Sequence, residues 1–312
     1  MLASAVVLVS LAAWHRAQRA AANGGRQDAT PRVAWAPARP VQGTLFVVNV
    51  TPGDTTGVSA VHGTVAGEPL HFRRDSTGVF HAIAGIPIET TDSIALAVVV
   101  VHDGMKPSGS APAHADSVDV HIPVASGSYP MEHLHVAPRF GRSPDSALAA
   151  RLAREREQAL AVSHRSHETP RQWHLPFVRP RGSRITSGFG GGREFNGTVE
   201  SRHMGVDFAG ARGAPVRVAN DGIVALVAHF YLAGNAIYVD HGGGLVTAYF
   251  HLSRALVHEG DTVRRGQVIG HVGSTGRVTG PHLHWIARYG EITVNPMSLL
   301  AIDTLHVPAS SP

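Results

Sequence analysis

Five residues in the C-terminal half carry side chains that could hold a metal ion or move a proton. The stretch TGPHLHW, residues 279–285, sets His282 and His284 on either side of Leu283, just after a glycine and a proline. RHMGVDFA places His203 and Asp207 four residues apart, and AYFHLS supplies His251. With Gly205 and Val206 between His203 and Asp207, a strand fits better than a helix. On a strand, side chains two or four apart share a face, so each pair offers two donors to one side. By the same alternation Phe250 and Leu252 turn away from the face of His251. Histidine nitrogen and carboxylate oxygen together suit zinc, and zinc sites that perform chemistry keep one position open.

Spacing alone does not separate a site from an accident, because the chain holds 21 histidines in 312 residues. His133 and His135 repeat the His-Leu-His pattern, and His71 and Asp75 repeat the four-residue spacing. Context separates them. The C-terminal candidates fall in one region, each beside glycine or proline turns, whereas His71, Asp75, His133 and His135 lack a third partner. Those four are expected at the surface or the edge of a core. His229, His241, His258 and His271 are expected at strand ends without metal. The run GFGGG, Gly188 to Gly192, lacks the Gly-Lys-Ser/Thr that completes a phosphate loop, so it reads as a turn leading into a groove. Arg193, Asn196, Asn235 and Tyr249 are further candidates for substrate contact or for turn and packing duty.

Composition narrows the chemistry. There is no cysteine, which removes disulfides, zinc thiolates and thiol nucleophiles together. The formal charge is +4 and Lys106 is the single lysine. The arginines are scattered and aromatics sparse, which is not the footprint of a nucleic-acid binder. Attraction to an anionic polymer or surface remains compatible with the charge.

These residues must be positioned by a mainly β chain. The apolar run from Leu2 to Trp14 is too short for a comfortable membrane span and reads, within residues 1–22, as a signal peptide or N-terminal anchor. Ala20 and Ala22 offer a cleavage site, and export to the periplasm or cell envelope is expected. Residues 23–42 are rich in proline and alanine and read as a linker. Short β-branched runs separated by turn residues predict an accessory β-sandwich over 43–125. Residues 126–180 read as a linker that carries one helix, 143–162, with Ser143 as cap and Leu148, Leu152 and Leu160 on one face. Glycine-dense strands over 181–302 predict a second, antiparallel β domain, followed by a tail at 303–312.

That domain resembles the M23 zinc metallopeptidases, the lysostaphin- or LytM-like peptidoglycan endopeptidases. The resemblance rests on ITSGFGGGREFNG, HMGVDFAGARGAPVRVANDGIV, GNAIYVDHGGGLVTAYFHLS, VHEGDTVRRGQVIGHVGSTGRVTGPHLHW and VNPMSLL, in that order. YPMEHLHVAPRFG and the strands before it resemble the accessory region that precedes this domain in many bacterial members. The resemblance implies one zinc ion held by His203, Asp207 and His284, with His251 and His282 as catalytic histidines beside it. It leaves the base and oxyanion roles of those two undivided. Met204 departs from the smaller residue often found there.

The implied activity is zinc-dependent hydrolysis of peptidoglycan peptide crosslinks, by a chain whose partners include that polymer and a possible regulatory protein or membrane anchor. The bond is either a D-alanyl–diaminopimelate crosslink or a glycine-rich bridge. Two other readings compete. A non-catalytic LytM-like module that binds cell wall or activates amidases typically lacks the zinc ligands, and this chain has the full set. The run VHEGDTVRRGQVIGHVG also resembles the flattened barrel of lipoyl and biotinyl carriers. Attachment there needs a lysine in a tight hairpin, and Lys106 lies far from it.

Overall fold

A computed structural model describes residues 30–103, 114–141, 143–197 and 199–302. The segment expected as a signal peptide or anchor (1–22), the linker up to residue 29, Lys106 and the tail at 303–312 lie outside the described residues.

Eight strands make the first unit: β1 (Arg32–Ala36), β2 (Leu45–Thr51), β3 (Val58–Val65), β4 (Glu68–Pro69), β5 (Arg73–Arg74), β6 (Phe80–Gly85), β7 (Ser93–His102) and β8 (His114–Pro123). They form two four-stranded sheets, ordered β1-β2-β6-β5 and β4-β3-β7-β8. Period-two burial explains why they stack. On β7, Ile94, Leu96, Val98 and Val100 are buried while the residues between them are not. β1 lies inside the stretch expected as a linker. Its neighbouring prolines masked a paired strand, which runs in register with β2 from Arg32↔Thr51 to Ala36↔Val47 and packs Val33 and Trp35 on the core.

Two elements occupy the connecting region. β9 (Met131–Leu134) was not expected there, and it pairs parallel with a strand of the C-terminal unit. The helix α1 runs Ser146–Ser166, not 143–162. Asp145, not Ser143, caps it by accepting from the Leu148 backbone N–H at 2.8 Å. Its buried stripe is Ala159, Val162, Ser163 and Ser166, with Leu148, Leu152 and Leu160 only half-buried. These small residues let the helix lie close on the sheet, against Tyr238, Val246, Phe250 and Ile286.

The C-terminal unit comprises β10 (Ile185–Ser187), β11 (Gly192–Phe195), β12 (Val199–Arg202), β13 (Val206–Ala209), β14 (Pro215–Arg217), β15 (Gly222–Phe230), β16 (Gly234–Gly242), β17 (Leu245–Ala255), β18 (Thr262–Val263), β19 (Val268–Val272), β20 (His282–Tyr289) and β21 (Ile292–Val294). Ten of these form one antiparallel sheet along β10-β13-β20-β17-β16-β15-β18, with β14, β19 and β21 attached. The small sheet β12-β11-β9 stands beside it. β20 therefore lies between β13 and β17, the strands that carry Asp207 and His251.

The two units share a core. Ile86, Ile88, Phe189, Tyr289 and Val294 belong to one buried cluster. A Cβ on Gly85 would come within 3.2 Å of the Tyr289 Cβ, so a glycine lets the sandwich approach this closely. At the rim, Glu68 accepts from the Glu291 backbone N–H at 2.8 Å and pairs with His167 at 2.9 Å.

Candidate metal centre

Strand register brings the first donors together. In the β13–β20 pair Asp207 lies opposite His284 and Ala209 opposite His282, and directly opposed residues share a face. His203 arrives differently from the strand reading. It lies beyond the end of β12, in the corner before β13, and is not itself in a strand. The glycine-rich turn holds it there: Gly190 N–H donates to the His203 carbonyl at 2.6 Å, and His203 N–H to Gly191 at 2.7 Å. The expected turn thus exists, and its backbone fixes a donor.

The three donor atoms form a tight triangle. His203 Nε2 lies 3.1 Å from Asp207 Oδ1 and 2.9 Å from His284 Nδ1, and the last two are 2.7 Å apart. All three residues are buried, and among the described residues they are the one group placed to hold a metal ion. Zinc–ligand bonds of about 2.0–2.1 Å in a tetrahedron put donors roughly 3.3 Å apart, so small outward shifts suffice. Protonation supports the same reading. His203 Nδ1 lies 2.6 Å from the Gly188 carbonyl, which can only accept, so this nitrogen carries the proton and Nε2 presents a lone pair. That lone pair meets a carboxylate oxygen and a second imidazole nitrogen, an arrangement a cation satisfies. Gly205 makes room for it: a Cβ there would lie 2.6 Å from His284 Cε1 and from the Trp285 carbonyl.

Electrostatics shift two of the donors, Asp207 and His284. Burial alone would raise the Asp207 pKa, but contacts with His203 and His284 outweigh it and hold the carboxylate far below its usual range. Burial lowers His284 to about 4 despite its contact with Asp207. The far oxygen of Asp207 is gripped by Arg193, whose Nη2 donates to Oδ2 at 2.6 Å. Arg193 in turn donates through Nε to Glu132 on β9 at 2.9 Å, and Ser187 Oγ bridges Glu132 (2.6 Å) and His203 Nδ1 (3.0 Å).

His251 and His282 stand beside this triangle. Their ring centroids are 4.9 Å apart, and His282 Nε2 lies 3.6 Å from Asp207 Oδ1. Each has its Nδ1 within 2.8 Å of a carbonyl, Thr275 for His251 and Gly280 for His282. Both Nδ1 atoms therefore carry protons and both Nε2 atoms are free to accept one. Burial pushes the His251 imidazole well below its usual range, and the neighbouring His282 and His284 add to this. His251 has φ of 62°, a left-handed backbone that costs energy for a non-glycine residue. The cause is a change of partner: β17 pairs with β20 through Phe250 and with β19 from Leu252 onward. The expected alternation fails at this kink. Phe250 does not turn away from the site but stacks on His284, centroids 5.5 Å apart.

A cavity of about 330 Å³ opens on Asp207 and His282. Ser187, Arg193, Phe195 and Arg277 line it, and Glu132 and Leu134 of β9 form one wall. Of the residues considered for substrate contact, Arg193 reaches it. Tyr249 is fully buried and accepts from Ala219 N–H, Asn235 bonds Leu252 and His229, and Asn196 clasps the Val136 backbone. Glu132, Ser187, Thr275 and Arg277 were not anticipated. Glu132 stands beside a His-Leu-His read as accidental, and its partner Arg193 is 61 residues away. His133 and His135 are exposed, Asp75 pairs with His81, and half-buried His71 stacks on His167, all away from the centre. His241 is buried near the end of β16, and His258 is exposed. A larger cavity of about 560 Å³ lies where the sandwich meets the C-terminal unit, and none of the five candidates lines it.

Residues 201–296 match the model for Peptidase family M23. The chain is 47% identical over 97 residues to the DD-carboxypeptidase/endopeptidase Mpg of Neisseria meningitidis serogroup B, covering 31% of this chain and 22% of that protein. It is 49% identical over 83 residues to the peptidoglycan DD-endopeptidase ShyA of Vibrio cholerae serotype O1, covering 27% and 19%. The matches thus span about a fifth of the length of these relatives. The crystal structure of a putative peptidase M23 from Pseudomonas aeruginosa aligns over 84% of this chain and 95% of its own, with TM-score 0.62 and 26% identity. That likeness extends beyond the metal-bearing domain into the strands before it.

Proposed function

We propose that this chain, which carries a Peptidase family M23 domain over residues 201–296, is a zinc endopeptidase that hydrolyses peptide crosslinks of bacterial peptidoglycan. The observation that carries the reading is the convergence of His203 Nε2, Asp207 Oδ1 and His284 Nδ1, with two further imidazoles directly beside them. These three residues would hold the ion. When bound, zinc supplies Lewis acidity, lowering the pKa of water and polarising a carbonyl oxygen.

The remaining work falls to the chain. His251 Nε2 and His282 Nε2 are positioned to accept a proton from an attacking water, since each Nδ1 proton is committed to a carbonyl. Once protonated at Nε2, either ring becomes a donor to the oxyanion or to the leaving amine, a contact typically worth about 3 kcal/mol in the barrier. His282 lines the cavity, which favours it as the ring nearer the substrate. His251 is buried behind it and held by Thr275. The proposed location is the cell envelope, where this substrate lies. No helix among the described residues is long and apolar enough to cross a membrane.

The test uses the full chain, crosslinked muropeptides and mass spectrometry of the products, with and without a chelator. Cleavage abolished by the chelator and restored by zinc is expected. His251→Ala should retain zinc and lose turnover. Chelator-insensitive cleavage would contradict the metal mechanism, and no cleavage with zinc bound would contradict the function.

A further inference from the structure

Arg277 is left over by the chemistry described so far. It lines the cavity that opens on Asp207 and His282, half-buried, with its guanidinium 3.9 Å over the Phe195 ring. Its contacts within the chain are poor. Among the described residues its guanidinium reaches one side-chain acceptor, Ser201 Oγ at 3.4 Å from Nη2, and no carboxylate pairs with it. Arg193 is different: the same cavity holds it, yet Glu132 and Asp207 occupy its donors. A half-buried cation without a counter-ion is only partly solvated, and a ligand carboxylate would complete it. Arg277 Cζ sits 3.9 Å over the Phe195 ring, and the guanidinium fork suits a planar, bidentate acceptor.

We propose that Arg277 is the specificity-determining residue of this cavity and binds a free carboxylate of the substrate next to the scissile bond. The inference rests on the peptidase reading above and deepens it. The two candidate crosslinks differ in this chemistry. In a D-alanyl–diaminopimelate crosslink, the carbon bearing the scissile nitrogen also bears a free carboxylate. A glycine bridge is uncharged at that position. The unpaired guanidinium selects the first, and selects the free acid over its carboxamide.

The experiment compares two crosslinked muropeptide dimers that differ only in this group, carboxylate or carboxamide, using the zinc-loaded full chain. Wild-type kcat/KM should favour the acid by about 10-fold or more, the factor a charge-assisted hydrogen bond carries. Arg277→Gln should lose that preference, cleaving acid and amide dimers at kcat/KM values within about 2-fold of each other, and Arg277→Lys should restore part of it. Equal cleavage of both dimers by the wild type would overturn the proposal without touching the peptidase reading, and this comparison needs no variant to fold. If neither dimer is cleaved, the peptidase reading fails, and calorimetric binding of the same dimers to the wild type decides the carboxylate preference. Equal affinities would overturn it there too.

Discussion

Replacing Arg193 by methionine keeps much of the side-chain length and removes the guanidinium that holds the far oxygen of Asp207. That contact is a 2.6 Å charge-assisted hydrogen bond to a carboxylate only 7% exposed. Removing one partner of such a bond typically costs about 1.5–3 kcal/mol. Here the loss falls on the orientation of a metal donor. At about 1.4 kcal/mol per factor of ten, the zinc dissociation constant should rise roughly 10- to 100-fold, the range seen when groups behind metal ligands are removed. Competition with a chromophoric chelator at neutral pH measures it directly. Glu132→Gln is the internal control. It weakens the brace on Arg193 but leaves the Arg193–Asp207 contact in place, so its effect should be several-fold smaller. Zinc affinity of Arg193→Met within 2-fold of wild type would refute the idea that this chain of contacts positions Asp207.

Two further outcomes follow. Gly205→Ala should cost most of the zinc affinity while adding a single methyl group, because the Trp285 carbonyl 2.6 Å from the new Cβ is backbone and cannot turn aside; metal content after dialysis checks this. Burial lowers His241 to about 4, with its nitrogens held by the Asp221 carbonyl and Thr247, so the unfolded chain binds more protons between about pH 4 and 6.5. Stability from this group is fully present above pH 6.5 and lost as pH falls toward 4, by about 3 kcal/mol. Urea unfolding across that range should have this slope, and His241→Gln should flatten it.

What was readable in the sequence was whatever is local. Period-two burial on β7 is written in adjacent residues, so the β class follows from spacing, as does the shared face of His282 and His284. Asp207 meets His284 because both sit on strands, and strands oppose residues in register. For His203 the strand geometry expected from spacing differs from the structure. The residue is not on the strand with Asp207, and what aims it is the backbone of Gly190 and Gly191, more than ten residues earlier. The kink at His251 was invisible for a similar reason. It comes from β17 exchanging one partner strand for another, a tertiary event that reverses where Phe250 points. Glu132 was the least legible. Its strand lies in a stretch whose composition reads as connector, and it acquires meaning only when β9 docks beside β11. The prolines that made residues 23–42 resemble a linker hid β1 in the same way, since proline flanks a strand edge as readily as a loop.

The central claim is that His203, Asp207 and His284 hold one zinc ion together. Elemental analysis of the purified full chain, beside His203→Ala, Asp207→Ala and His284→Ala, tests it most directly. About one zinc per chain in the wild type, and little in any of the three variants, is the predicted result. Full zinc occupancy persisting in the folded variants, or a wild-type chain that stays metal-free in excess zinc, would contradict it.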